Sequence, residues 1–392
     1  MNLRLLVLAL GTFAVGTGSF VFAGLLEGVA EDLGVSVGAA GHLITIFAVT
    51  YAVTSPVLVT LTGSVARRRL LMAALVLFAA ASLAAAVAPT FGLLLLCRVA
   101  AACGAAVYTP TAAAVASSLA DPAERGKALS VVTGGFTIAF VVGIPLGSLV
   151  GTYSSWRMTF VLVGVLGLAA VIGVRALLPD VANPPPVGLR ERLGVLRQPA
   201  VLAALLLTAL ALMGAFVVFT YISPLLTEVT GFGGGGVSLL LLLFGLAAVA
   251  GNNLGGYGAD HAGYRRVAAA FLAVLALSLL AFSFLVAGAG TGAALVGLFP
   301  ALAAWGAAGF AFNPLQQYRV IQLAPATANV ALSLNASAIY LGQGLGAGLG
   351  ALVLGYGSLA ALGWVGALCV ASALVALFLL VEPGKPGPRH EG

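Results

Sequence analysis

Residues 39–88 read AAGHLITIFAVTYAVTSPVLVTLTGSVARRRLLMAALVLFAAASLAAAVA, two apolar runs joined by a short gap that holds Arg67, Arg68 and Arg69 and no acid. Each run matches the roughly 20 residues a helix needs to cross the hydrocarbon of a bilayer. The unit recurs along the chain. Arg4 precedes the first run, Arg125 and Lys127 follow the fourth, and Arg175, Arg190, Arg192 and Arg197 follow the sixth. Arg265 and Arg266 follow the eighth, Arg319 the tenth, and Lys385 and Arg389 the last. These gaps hold 15 of the 17 Lys and Arg, so only Arg98 and Arg157 break the pattern. The intervening gaps carry little charge beyond Glu27, Glu31, Asp32 and Glu228. Basic residues are retained on the cytoplasmic side during insertion, so the alternation predicts twelve spans with both termini inside.

Composition leads to the same place. With 61% hydrophobic and 7% charged residues, the chain falls far below the roughly 25% charge that a water-facing surface needs. The net charge of +6 is juxtamembrane and reads as topology and lipid headgroups, with no nucleic-acid partner expected. Cys97, Cys103 and Cys369 all fall inside apolar runs, which argues against a disulfide framework or metal site. No catalytic triad, metal-ligand cluster or phosphate loop is found, so neither an enzyme nor a cofactor is expected. Residues 1–24 read as the first helix and not as a cleaved leader, because no small-x-small site with a soluble domain follows.

The spans are expected near 3–25, 39–62, 70–88, 92–117, 128–151, 158–178, 199–226, 237–257, 267–287, 292–317, 329–355 and 359–381. The largest gap contains Pro184, Pro185 and Pro186, then Leu189, Leu193 and Leu196 at helical spacing beside arginines. It reads as a stiff spacer and an interfacial amphipathic helix. The expected organisation is a six-helix bundle over 1–179, a cytoplasmic linker over 180–198, and a second bundle with a short tail over 199–392. The halves repeat. Gly63 to Arg69 follows the second span and Gly256 to Arg266 follows the eighth; Gly143, Gly147 and Gly151 recur as Gly342, Gly346 and Gly350. Parallel repeats of this kind build rocking transporters.

At these residues the chain resembles the major facilitator superfamily, and within it the twelve-span drug:proton antiporter branch of arabinose-efflux-like and chloramphenicol-resistance permeases. Gly256 to Arg266, with Asp260 and Arg265, is similar to the family's loop motif. Arg98 with Gly104 sits where the family carries its fourth-span arginine motif, and Gly143-Ile-Pro145-Leu-Gly147 is similar to the fifth-span motif associated with efflux. Trp156-Arg157 before Phe160, and Tyr221-Ile-Ser-Pro224, are also similar to that branch. The resemblance implies an all-helical membrane protein of two pseudo-symmetric bundles that exports a small, partly apolar compound by alternating access against protons. It also implies a monomer in a bacterial inner (plasma) membrane. Two departures stand out. The first-half loop runs from Gly63 into Arg67 with no Asp, and many relatives carry a first-span Glu where this chain has Ser19. Ser19 cannot titrate, so an uncoupled facilitator or anion exchanger, with Arg98 as counter-charge, stays open; so does a transport-inactive sensor.

The candidate residues follow from polarity at membrane depth. Arg98, about 10 Å below the outer edge, must face a cavity or a partner, since a buried cation costs at least ~2.5 kcal/mol. It reads either as a functional charge or as a strut bonding carbonyls and hydroxyls such as Ser19 and Tyr108. The spans that line the cavity in the superfamily favour Tyr108, Tyr221 and Asn313 as substrate contacts, with Ser19 and Tyr340 beside them; interhelical bonding is the competing reading for each. Gly63, Arg67, Gly143, Pro145, Gly147, Gly256, Asp260 and Arg265 are expected to gate. No acid lies mid-membrane; Glu27 is the nearest and the candidate for proton coupling.

Overall fold

A computed structural model describes residues 3–121, 124–180, 194–261 and 263–380. Among the described residues twelve helices are long and apolar enough to cross a membrane. In order they are span 1 Leu3–Gly24, span 2 Val37–Leu61, span 3 Arg67–Ala86, span 4 Phe91–Leu119, span 5 Arg125–Tyr153 and span 6 Trp156–Leu177. Then follow span 7 Pro199–Phe219, span 8 Gly234–Gly255, span 9 Tyr264–Ala287, span 10 Gly292–Leu323, span 11 Val330–Tyr356 and span 12 Leu359–Leu380. The polar gaps supply the caps. Ser36, Thr90 and Thr291 each accept a hydrogen bond from the backbone N–H three residues on, which satisfies donors left free at a helix start.

The two halves pack alike. Span 1 packs on 5 and 6, span 2 on 4, and span 3 on 4 and 6. Span 7 packs on 11 and 12, span 8 on 10, and span 9 on 10 and 12, so every pairing recurs six spans later. A short helix follows the first span of each half, Leu26–Leu33 and Ile222–Thr230. Each ends at a glycine in the left-handed region, Gly34 at φ 63° and Gly231 at φ 67°, where a side chain would be strained. Two seams join the halves, span 2 against 11 and span 5 against 8.

Glycine decides how closely the helices approach. Gly143 and Gly147 lie on Thr17 and Val21 of span 1, and Gly151 on Leu25 just after it. Gly342, Gly346 and Gly350 lie on Ala209, Met213 and Val217 of span 7. The rows therefore close helices within each bundle, as small residues do in lipid. Gly251 and Gly255 of span 8, which the sequence reading passed over, meet the backbone of Ala307 and Ala311 of span 10.

Several spans differ from expectation; span 7, expected to reach 226, ends at Phe219, and the rest of that run is the separate helix Ile222–Thr230. Span 1 is α-helical only to Phe20 and tightens into a 3-10 turn over Val21–Gly24. Span 5 contains a π turn over Ala139–Gly143, just before Pro145, whose missing N–H leaves a carbonyl without its usual donor. Span 10 runs on through Pro314 to Leu323, beyond the expected end at 317, and closes where the Ala324 N–H donates to the Val320 carbonyl. The amphipathic helix expected around 188–197 falls largely outside the described residues; its end, Val195–Arg197, is a 3-10 turn whose Val195 packs on Val201 and Val320.

Candidate functional site

Arg98, on span 4, is 2% exposed. Its Nη1 donates to the Gly18 carbonyl at 2.8 Å and its Nε to the Leu43 carbonyl at 3.1 Å, tying span 4 to spans 1 and 2. The guanidinium lies between two rings, 4.3 Å from the centroid of Phe22 and 4.1 Å from that of Phe47, and its Nη2 is buried without a hydrogen-bond partner. Gly18 stands just before the 3-10 turn. A donor arriving at its carbonyl competes with the Phe22 N–H due there in a continuous helix, which accounts for the early end of the α-helix. Ser19 and Tyr108 are not its partners: Ser19 donates to the Val15 carbonyl at 2.6 Å and Tyr108 to the Leu8 carbonyl at 2.9 Å. Tyr340, from the second bundle, faces Ser19 and Arg98 and stacks on Tyr51 with centroids 3.7 Å apart.

Beside this lies an aromatic plug that sequence reasoning missed. Phe20 is 4.5 Å from Phe140 and 6.0 Å from Phe216; Phe140 is 4.6 Å from Phe310 and 5.9 Å from Phe219. The stack continues through Phe244 to Trp305 at 5.1 Å. Spans 1 and 5 of one bundle and 7, 8 and 10 of the other thus meet ring to ring. Each such pair is worth about 0.5–1.5 kcal/mol beyond the area it buries. The available signal was the repeat itself: at a spacing of 196 residues, Thr12 falls on Thr208 and Phe20 on Phe216.

Tyr108 and Tyr221 are fully buried with committed hydroxyls, so neither offers a face to a solute in this state. The single Tyr221 O–H is shared between the Ala347 carbonyl at 3.1 Å and the Gly38 carbonyl of the other bundle at 3.3 Å, at the outer end of the seam between spans 2 and 11. Tyr108 and Gln316 play matching parts. The first bonds Leu8 of span 1, and the second bonds Ala204 of span 7, 196 residues on, and Thr208, which itself bonds Asn335. Asn313 is half-buried on the basic side of the plug, where its carbonyl accepts from Gln317 at 3.2 Å.

The expected gating set is divided. Gly143 and Gly147 pack against span 1, and Pro145 follows the π turn. Arg265 donates to the Phe378 carbonyl at 3.1 Å, joining span 9 to 12, and Arg68 bonds the Arg175 carbonyl to join span 3 to 6. Gly63 and Arg67 are buried at the turn after span 2. The helix of span 8 continues through Gly256 and Asp260 to His261, and the side chain of Asp260 and the surroundings of Gly256 lie outside the described residues.

The contacts across the seams run from the middle of the membrane to the side away from the basic loops. Gly344 lies against Val49, Gly38 against Ala351, Gly245 against Phe140 and Val141, and Ser238 donates to Ser148 at 3.1 Å. At the outer edge a cleft of about 400 Å³ is lined by Glu27, Ser148, Thr152, Trp156 and Ser223. Nearby, Asp32 pairs with Arg157 at 2.8 Å.

Glu27 is exposed at the mouth of that cleft, and the protein packed beside it raises its carboxyl from the usual value by partial desolvation; the Ser223 hydroxyl, 3.5 Å away across the seam, pulls the other way. The other acids at this end are Glu31 and Asp32 on the same helix and Glu228 on the helix that carries Ser223. A proton is held more tightly in the sealed state than with Glu27 in water, so sealing is favoured as pH falls and weakens as pH rises through the raised value. Spin-label distances across the outer ends between pH 4.5 and 8 are expected to shorten on acidification in the wild type and to stay flat in Glu27→Gln. An unchanged profile in the variant would remove Glu27 from the seal.

Among the described residues no three His, Cys, Asp or Glu form a group able to hold a metal ion. Twelve spans, a duplicated pairing of helices and polar and aromatic groups enclosed where the halves meet define a membrane transporter of two fused six-helix bundles. The family model of the Major Facilitator Superfamily matches residues 8–346, and the chain belongs to that superfamily. It is 33% identical to an uncharacterized MFS-type transporter, YbcL, of Bacillus subtilis, over 96% of this chain and 95% of the relative. It is 35% identical to a chloramphenicol resistance protein of Streptomyces lividans, over 96% of each. In fold it is similar to the crystal structure of a bacterial homolog of the human lysosomal transporter Spinster in an inward-facing, occupied conformation. That likeness has a TM-score of 0.68 and 18% identity, and covers 96% of this chain and 93% of the other.

Proposed function

We propose that the protein exports a small, partly apolar compound by alternating access, exchanging it for protons across a bacterial inner membrane, and that it works as a monomer. The observation that carries this reading is the one-sided seal. The bundles meet from the aromatic plug outward, and their contacts there are removable ones: single hydrogen bonds such as Tyr221 to Gly38, hydroxyl pairs, and ring faces. Rocking would break this set and form another on the basic side. The relative named for chloramphenicol resistance supports efflux. A second reading, an uncoupled facilitator, is favoured by one fact: none of the eleven acids falls within the bounds of the twelve spans.

Reconstituted vesicles containing a pH dye separate the two. A pH change triggered by addition of chloramphenicol or a similar amphiphile, absent from protein-free vesicles, is the expected result. Solute flux with no proton signal would sink antiport and leave the facilitator. Absence of flux for every compound tested would sink export itself.

A further inference from the structure

From the chemistry of the central site, and resting on the transport reading above, we infer that the protein selects its solute by charge: it takes uncharged aromatic compounds and refuses permanently cationic ones. Three observations converge. The plug at the bundle interface is built from rings, with Phe20, Phe140, Phe216 and Phe310 at its centre, so its natural partner is another ring inserted between faces. Exposed or partly exposed polar groups on its basic side, Asn313 and Gln317, are uncharged amides. The one charged side chain at this depth is a cation, Arg98, behind Phe22 and Phe47 and bonded only to carbonyls, so its charge is not cancelled by a carboxylate.

Ring faces alone attract cations, which is why charge, and not aromaticity, makes the distinction. A cationic solute moving out of water needs a negative partner to offset its desolvation, and the spans contain none; an uncharged ring has no such need. Arg98 adds a repulsion that the surrounding low dielectric screens poorly.

Trp305, which lies 5.1 Å from Phe244 in the plug, supplies a reporter. In the full chain carrying Trp156→Phe and Trp364→Phe it is the sole tryptophan. Titration with chloramphenicol and two other uncharged aromatic amphiphiles is expected to quench it saturably. Tetraphenylphosphonium is expected to bind at least tenfold more weakly. Asn313→Asp, an isosteric change that adds a carboxylate one turn from Phe310, is expected to raise tetraphenylphosphonium binding about tenfold. Comparable binding of cation and uncharged compounds to the unsubstituted site would overturn the inference, as would failure of every uncharged compound to bind. Refusal of the cation by Asn313→Asp as well would show that shape and not charge excludes it, and would overturn it too. Quenching without flux in vesicles would leave charge selection standing and remove the export reading, so the two are separable.

Discussion

Gly251→Val protein is expected to be lost as aggregate when extracted in detergent, with little or no folded species on size exclusion. A Cβ at Gly251 would run into the carbonyl and Cα of Ala307, and Gly255 meets Ala311 in the same way one turn on. Side chains can turn aside from such a collision, but backbone cannot. Spans 8 and 10 would have to separate along their length, giving up the close approach that drives helix association in lipid. Overpacking costs about 1–3 kcal/mol even where side chains can adjust, and more is expected here. Gly92→Ala, where an added methyl meets nothing within 4 Å, is the control expected to behave as wild type. Recovery of monodisperse Gly251→Val protein at wild-type yield would mean that the two helices are not held at backbone contact.

Arg98→Leu is expected to fold and to lose at least about 90% of its flux in vesicles, a tenfold loss or about 1.4 kcal/mol. Removing the guanidinium forfeits two charge-assisted bonds but also removes a buried charge, and hydrophobic replacements at such positions are often neutral for stability. What leucine cannot do is hold the Gly18 carbonyl, where span 1 changes from α to 3-10 winding, and the Leu43 carbonyl together. The first and second spans of one bundle, and the Tyr340 face of the other, lose their common reference point. Arg98→Lys is expected to do little better, since a single ammonium cannot bridge both carbonyls while lying flat between Phe22 and Phe47. Thermal stability measured with the flux decides the matter. Near-normal melting with normal transport would reduce Arg98 to packing, and collapse of both would mean that it serves folding first.

The twelve spans were legible because both signals are properties of the chain alone: apolar runs of membrane length and a basic residue in every second gap. The repeat was legible too, through glycine rows that do lie on equivalent helices. The site was much less so. Tyr108 and Tyr221 carry hydroxyls at membrane depth, which sequence can read as substrate contacts; only the fold shows carbonyls from Leu8, Ala347 and Gly38 within reach. Phe20, Phe140, Phe216 and Phe310 are scattered over four spans; the repeat relates Phe20 to Phe216, but in a chain with 20 phenylalanines nothing local marks those that meet. Span 1 ends within a residue of its expected limit, and what the sequence does not mark is the change from α to 3-10 winding after Phe20, where a tertiary partner, Arg98, reaches Gly18.

The two seams have a further consequence. Because spans 8 and 11 correspond to spans 2 and 5, span 2 on 11 and span 5 on 8 are one contact made twice, as in the isologous interface of a two-fold dimer. In a true dimer of half-length chains, any group near the axis would face its own copy, and a single arginine there would bring a second like charge. Fusing the halves lifts that restriction. Here Arg98 stands in the outer half of span 4, while the corresponding stretch of span 10, from Gly292 to Ala307, has no basic residue at all. Two repeats in one polypeptide thus let a symmetric scaffold carry a chemically lopsided interface, with Arg98 contributed by one half and Tyr340 by the other.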